Sequence, residues 1–118
     1  MSKKVLIVDD SRYMRMLIQE ALEQSGYTVV GQASTGEQAI DMAFDLQPDI
    51  VTLDNILPDM IGLDILKAYQ AGNLASSVVI ISAVGQESVI QEGLTLGARG
   101  YIVKPFTQEQ LLQTIQAL

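Results

Sequence analysis

The sequence predicts an α/β fold in which a doubly wound sheet of five parallel strands alternates with five helices. Short apolar runs recur along the chain, and the first of them is Val5-Leu6-Ile7-Val8. Such runs, rich in β-branched residues, are typical of strands that are buried on both faces. An amphipathic segment with helical spacing follows each run, as the crossover between parallel strands requires. The length of 118 residues suffices for one domain of this kind.

The predicted elements follow one another without a gap that needs another explanation. Strands are expected at residues 5–8, 28–33, 50–53, 78–81 and 101–103. The first helix presents a single apolar face made of Met14, Leu17, Ile18, Ala21 and Leu22. The other helices are expected at 36–46, 63–70, 87–96 and 107–117. No linker or second unit remains, so we expect residues 1–118 to form a single domain.

Capping residues mark the ends of these helices. Ser11 is the expected N-cap of the first helix, and Gly26 lies just past its end. The remaining cap signals are Ser34 or Thr35 with Glu37 or Gln38 as a capping box, Gly97 as a stop, and Thr107 with Gln110 as a second capping box.

Composition excludes several classes of function. The chain has no cysteine and no histidine, which rules out thiolate or histidine metal sites and serine–histidine catalysis. A net charge of -7, without a basic cluster, argues against direct nucleic-acid binding. No apolar stretch approaches the length of a membrane span, so we expect no membrane insertion and a cytoplasmic location.

Three aspartates end two of the apolar strands. Asp9 and Asp10 follow the first strand, and Asp54 follows the third. In a flavodoxin-like strand order of 2-1-3-4-5 these strands are neighbours, so the three carboxylates converge at the carboxyl edge of the sheet. Like charges placed together are costly unless a cation or a proton relieves them. An oxygen-only cluster of this kind suits Mg²⁺.

Two further strand ends supply groups suited to phosphoryl chemistry. The fourth strand ends on Ser82-Ala83, which offers a hydroxyl and a backbone N–H, and the fifth ends on Lys104-Pro105. Lysine binds phosphate as a point charge on a long stem, so Lys104 is able to reach across a group of acids.

These residues resemble the receiver domain of bacterial response regulators along essentially the whole chain. The matching motifs are Val8-Asp9-Asp10, Asp54-Asn55-Ile56-Leu57-Pro58-Asp59-Met60-Ile61-Gly62, Ile81-Ser82-Ala83 and Val103-Lys104-Pro105-Phe106. Within that family the chain is most similar to the single-domain chemotaxis regulators. The features that favour this subgroup are the ending at the fifth helix and two segments, Ser11-Arg12-Tyr13-Met14-Arg15 and Ser82-Ala83-Val84-Gly85-Gln86.

The resemblance implies a phosphoacceptor switch rather than an enzyme. Asp54 would take a phosphoryl group from a phosphohistidine on a sensor histidine kinase, and weak self-phosphorylation from small phosphodonors and autodephosphorylation are also expected. Mg²⁺ would be held by Asp10, Asp54 and the backbone carbonyl of Ile56, with Asp9 acting through water.

The resemblance also assigns the groups that bind the phosphoryl oxygens. Lys104 and Ser82 would contact them through their side chains, and Asn55 and Ala83 through their backbones. Tyr101 matches the switch aromatic, which changes rotamer as Ser82 moves, and the Lys104-Pro105 bond is expected to be cis.

Phosphorylation is expected to remodel the surface of the fourth helix, fifth strand and fifth helix for partner binding. The candidate contacts there are Glu87, Ile90, Tyr101, Val103, Phe106 and Gln108, although Phe106 could equally pack in the core. Expected partners are the sensor kinase, a flagellar motor switch protein and a phosphatase, and the chain is expected to be a monomer. Because Ile56 and Val84 are apolar and cannot orient the hydrolytic water, slow self-dephosphorylation is predicted.

Other classes fit the sequence less well. A haloacid-dehalogenase-type phosphatase needs a second aspartate where this chain has Ile56. A flavin mononucleotide carrier needs a phosphate loop after the first strand, where Asp9-Asp10 would repel phosphate. An interaction-only pseudo-receiver normally loses one of the acids, the hydroxyl residue or the lysine, and all are present here. A sporulation-type regulator, or a receiver detached from a DNA-binding output domain, remains the alternative.

Overall fold

A computed structural model describes residues 2–118 and shows five strands alternating with five helices. The strands are β1 Lys4–Val8, β2 Thr28–Ala33, β3 Ile50–Asp54, β4 Ser77–Ala83 and β5 Gly100–Lys104. The helices are α1 Arg12–Gln24, α2 Gly36–Leu46, α3 Gly62–Ala71, α4 Glu87–Thr95 and α5 Gln108–Gln116. The predicted elements are confirmed, with boundaries that differ by up to two residues.

All neighbouring strands pair in parallel, and the sheet has the order β2-β1-β3-β4-β5. This confirms the flavodoxin-like prediction. The order reverses direction between β1 and β3, where Val8 lies beside Leu53. The crevice at such a reversal is where open α/β sheets bind ligands.

Alternate residues of each strand supply two separate cores. Leu6 and Val8 pack with α2 and α3 on one face, whereas Val5 and Ile7 pack with α1 and α5 on the other. A strand places successive side chains on opposite faces, so a fully apolar strand feeds both cores at once. Both β1 and β3 are fixed from two sides, and their carboxyl ends are therefore rigid supports.

Most of the predicted caps are present. The Ser11 hydroxyl accepts from the Met14 N–H, and Thr107 with Gln110 forms the full capping box. At α2 the N-cap is Thr35, but the Gln38 side chain accepts from the backbone N–H of Ser34 instead of closing the box on Thr35. The predicted capping box of α2 is therefore wrong in its second half. The Lys104–Pro105 peptide is cis, as predicted.

No helix within residues 2–118 is both long enough and apolar enough to span a bilayer.

Candidate functional site

The carboxylates of Asp9, Asp10 and Asp54 converge at the carboxyl edge of the sheet. One oxygen from each lies within 4.8 Å of the others. Asp9 and Asp54 are buried while Asp10 is exposed, so the cluster opens to solvent through Asp10. The cause is the adjacency of β1 and β3, which ends two apolar strands side by side. The predicted convergence is confirmed, and its donor set of carboxylate oxygens fits Mg²⁺.

Lys104 reaches this cluster from the far side of β4. Its Nζ lies 3.2 Å from Asp9 Oδ2 and 3.5 Å from Asp54 Oδ1. The long lysine stem spans the gap because β5 is separated from β3 by a whole strand. The ammonium offsets part of the repulsion between the two buried acids, as the sequence predicted for a point charge on a flexible stem.

The pKa of the Asp54 carboxyl is raised above its ordinary value of 3.8. Burial is the largest cause, and the charge of Asp9 raises the pKa further. The charge of Lys104 and the backbone N–H of Ile56 act in the opposite direction without cancelling the rise. The ionised form of Asp54 is therefore held at a cost that a nearby cation would reduce.

Ser82 and Ala83 close the site at the end of β4. Ser82 is 1% exposed, and among residues 2–118 its Oγ has no hydrogen-bond partner. A buried hydroxyl without a partner is unfavourable, which suits it to receive a ligand oxygen. The Ala83 N–H is already engaged, because it donates to Gln86 Oε1 at 3.0 Å.

The backbone N–H of Asn55, a predicted phosphoryl contact, is engaged in the sheet. The N–H of Asn55 donates to the carbonyl of Ile81 at 3.0 Å, which continues the β3–β4 ladder one residue beyond the strand. The phosphoryl contact predicted for this N–H would therefore require its hydrogen bond to Ile81 to break. The N–H that acts on the Asp54 carboxylate belongs to Ile56, the next residue in the loop.

The loop that carries Ile56 is anchored at both ends. Its ends are joined by a 2.6 Å hydrogen bond from the Gly62 N–H to the Asn55 carbonyl. Near its middle, the Asp59 carboxylate accepts from the backbone N–H groups at the start of α2, Gly36 at 2.7 Å and Glu37 at 3.0 Å. These two hydrogen bonds lower the pKa of Asp59. The position of the Ile56 carbonyl is thereby tied to two helices.

Tyr101 and its neighbours form a shallow groove beside the site. The groove, of about 250 Å³, is lined by Val84, Ile90, Tyr101 and Val103, with Glu87 at its edge. Tyr101 is 48% exposed, so its ring points away from the core. These residues form the surface predicted for the fourth helix and fifth strand.

Gln108 lies on a different face from the one predicted, whereas Phe106 takes the core position that the sequence analysis left open as its alternative. Both line a groove between α1 and α5, and the ring of Phe106 packs against the core on that side. The Gln108 side chain donates to Gln24 of α1 at 3.2 Å.

Ile56 and Val84 lie at the mouth of the site. These residues are 56% and 75% exposed, so neither is held in the core. Sequence reasoning did not identify two side chains that contact the backbone of the site: Gln86 accepts from the Ala83 N–H, and Arg15 donates to the Asp9 carbonyl. Their side chains act by hydrogen bonding to backbone groups, and no residue pattern in the sequence signals such a bond.

Comparison with known proteins identifies the family. The model of the response regulator receiver domain matches residues 5–116, and the chain belongs to this family. Receiver domains are the phosphoacceptor switches of two-component phosphorelays and are not classical enzymes. They bind Mg²⁺ at an acidic pocket and interact with histidine kinases, and this chain carries the corresponding aspartate cluster.

Particular relatives come from more than one branch of the family. The chain is 36% identical over 115 residues to the chemotaxis protein CheY of Thermotoga maritima, covering 98% of this chain and 96% of that protein. It is also 36% identical over 118 residues to the alkaline phosphatase synthesis transcriptional regulatory protein PhoP of Bacillus subtilis, covering 100% of this chain and 49% of PhoP.

A solved structure supports the same assignment. The crystal structure of the CheX–CheY–BeF3–Mg²⁺ complex from Borrelia burgdorferi contains a chain that superposes with a TM-score of 0.93 at 32% identity. The match covers 98% of this chain and 87% of that one.

Proposed function

We propose that this chain, as one receiver domain over residues 1–118, accepts a phosphoryl group on Asp54 from a sensor histidine kinase. The observation that carries the proposal is the convergence of three aspartates beside Lys104 and the unpartnered Ser82 hydroxyl. These groups lie at the carboxyl ends of β1, β3, β4 and β5, and together they offer a nucleophile, a cation and a hydrogen-bond donor. This is the set that phosphoryl transfer requires.

In the proposed step, a carboxylate oxygen of Asp54 attacks the phosphorus atom of a phosphohistidine on the kinase. An O–P bond forms as the P–N bond breaks, and the leaving imidazole keeps the electron pair and takes a proton from solvent. The protein positions the reacting atoms and stabilises charge, because the donor already carries an activated phosphoryl group.

The proposed metal ligands are Asp10, Asp54 and the Ile56 carbonyl, with Asp9 acting through water. When bound, Mg²⁺ would neutralise phosphoryl oxygens that the acids otherwise repel. The direct hydrogen bonds of Asp9 support its indirect role, since Ser11 N–H and Lys104 Nζ already occupy its two carboxylate oxygens.

Two groups are proposed to bind the phosphoryl oxygens once they arrive. Lys104 would shift its ammonium onto one of them, and the Ser82 hydroxyl would donate to another. The Ala83 N–H would be a third donor only after the Gln86 side chain leaves it. Phosphorylation is proposed to favour a conformer in which Ser82 and Tyr101 move inward, which changes the groove of Val84, Ile90 and Val103.

The experiment is incubation with acetyl phosphate and Mg²⁺, followed by intact mass. The wild type is expected to gain one phosphoryl group, and Asp54→Asn none. Asp64→Asn is the matched control, because Asp64 is an exposed acid in the first turn of α3. Absence of labelling in the wild type, or equal labelling of Asp54→Asn, would contradict the proposal.

The same experiment tests the smaller activities. Labelling by acetyl phosphate without a kinase is the proposed self-phosphorylation, and loss of the label after removal of the donor is autodephosphorylation. The aspartyl phosphate is proposed to be long-lived, because Ile56 and Val84 are exposed apolar side chains that cannot orient a water.

We further propose a role in chemotaxis, with a flagellar motor switch protein and a phosphatase as partners. The support is the similarity to CheY proteins and the segment Ser11-Arg12-Tyr13-Met14-Arg15. A transcriptional regulator has a receiver of equal identity, so another two-component output is the alternative. Binding of the phosphorylated chain to the motor switch protein of its own source organism decides between them, with Asp54→Asn as the control that must not bind.

The remaining proposals concern cellular context. We propose a cytoplasmic monomer, and the net charge of -7 argues against direct nucleic-acid contact. Analytical ultracentrifugation with and without phosphodonor tests the monomeric state, and the mass of a dimer on phosphorylation would overturn it.

A further inference from the structure

Arg15 contacts the backbone that carries two of the three clustered acids. Its Nη1 donates to the carbonyl oxygen of Asp9 at 2.7 Å, and its Nε donates to Gln32 Oε1 at 3.0 Å. Gln32 lies on β2, and Asp9 follows β1. One guanidinium from the first turn of α1 therefore ties together the ends of two neighbouring strands.

The Asp9 carbonyl belongs to the peptide unit that joins Asp9 to Asp10. A peptide unit is planar, so holding this oxygen also fixes the direction in which the Asp10 Cα lies. Every other polar group of Asp9 is engaged as well. Its N–H donates to Ala33 O at 3.0 Å, and its carboxylate accepts from Ser11 N–H at 2.9 Å and from Lys104 Nζ at 3.2 Å.

We propose that Arg15 is a positioning residue for the metal site, holding the Asp9–Asp10 peptide plane so that both carboxylates face Asp54. The proposal rests on the Mg²⁺ site proposed above. The exposed Asp10 side chain depends most on this support, since its orientation is set by the backbone on either side of it. Arg15 also uses its planar fork to bind two acceptors at once, which lysine cannot reproduce.

A positioning role and a purely electrostatic role of Arg15 predict opposite changes in Mg²⁺ affinity when this residue is replaced. If Arg15 acted only through its positive charge, it would repel Mg²⁺. Its removal would then strengthen Mg²⁺ binding. Removing a support of the ligand backbone instead weakens metal binding. Loss of such an outer partner typically costs about tenfold or more in metal affinity.

The experiment is a calorimetric Mg²⁺ titration of the isolated chain without phosphodonor, which measures binding and not activity. We expect Arg15→Ala to bind Mg²⁺ about tenfold more weakly than wild type. Arg15→Lys keeps the charge but replaces the planar fork with a single ammonium group, and its Mg²⁺ affinity is expected to lie between those of wild type and Arg15→Ala. Arg12→Ala is the matched control, because Arg12 is an exposed arginine three residues earlier on α1, and its affinity is expected to equal or exceed wild type.

Folding of each variant is checked by circular dichroism, and Arg15→Gln replaces Arg15→Ala under the same expectation if the alanine variant unfolds. Equal or tighter Mg²⁺ binding by the Arg15 variant overturns the positioning role. If the wild type itself does not bind Mg²⁺, the proposed metal site fails together with this inference. If the wild type binds and the Arg15 variant matches it, this inference alone fails.

Discussion

Replacing Gln86 with alanine removes the side chain that occupies the Ala83 backbone N–H at an Oε1···N distance of 3.0 Å. Gln86 precedes α4 without capping it through its side chain, so its amide is folded back toward β4. Gly85, with a φ of 91°, allows this tight return. Since the same N–H is proposed to bind a phosphoryl oxygen, Gln86 competes with the phosphoryl group.

The size of the competition follows from the hydrogen bond. A net contribution of about 0.5–1.5 kcal/mol is typical, and this bond lies on an exposed loop, which places it at the lower end. An advantage of about 0.5–1 kcal/mol corresponds to roughly two- to fivefold in affinity. We therefore expect Gln86→Ala to bind a phosphoryl analogue about two- to fivefold more tightly than wild type.

The assay is calorimetric titration with beryllofluoride at saturating Mg²⁺, supported by the rate of labelling with acetyl phosphate. Gln91→Ala is the matched control, because Gln91 lines the same groove as Gln86 on the exposed side of α4. Gln86→Glu keeps an acceptor and adds a negative charge, so it should bind more weakly than wild type. Equal or weaker binding by Gln86→Ala would refute the competition.

The remaining predictions concern stability and lifetime. Asp54→Asn should be more stable than wild type at neutral pH. The folded-state pKa of Asp54 is raised above 3.8, so the wild type loses stability as the pH rises through that pKa, whereas the asparagine variant does not. This gain in the free energy of unfolding should vanish below the ordinary aspartate pKa of 3.8, and urea unfolding at a series of pH values measures it. A difference between variant and wild type that stays constant at all pH values would show another cause. Thr52→Val should stabilise the chain by about 1 kcal/mol, since the buried Thr52 hydroxyl has no partner in the described part of the chain. Denaturant unfolding measures it, and a loss of stability would mean that the hydroxyl is satisfied. Ile56→Asn should shorten the lifetime of the Asp54 phosphate, followed by intact mass; an unchanged lifetime would remove the role of that side chain.

The fold was accessible from the sequence because short apolar runs mark the strands and because capping side chains mark the starts of α1, α2 and α5. Thr28–Ala33 and Gly36–Leu46 have the predicted bounds. The ends of α3, α4 and α5 differ from the prediction by at most one residue, since the last turn depends on which backbone groups find partners. The second half of the α2 capping box was wrong because Gln38 reached Ser34.

The composition of the site was equally accessible. Polar residues that directly follow buried strands must meet at the carboxyl edge of a parallel sheet, so Asp9, Asp54, Ser82 and Lys104 were identified by their positions alone. Strand order and side-chain type together determined the chemistry that these residues offer.

Only the tertiary structure decided which individual hydrogen-bonding groups are free. It assigned the Asn55 N–H to the sheet, the Ala83 N–H to Gln86, and the Asp9 carbonyl to Arg15. It also turned Phe106 toward α1. Hydropathy and motif spacing report which face a residue occupies, whereas a single hydrogen bond depends on loop dihedrals and on which competing donors lie within about 3 Å. The sequence thus determined the fold and the residues of the candidate site, and the three-dimensional packing decided how each backbone group in that site is engaged.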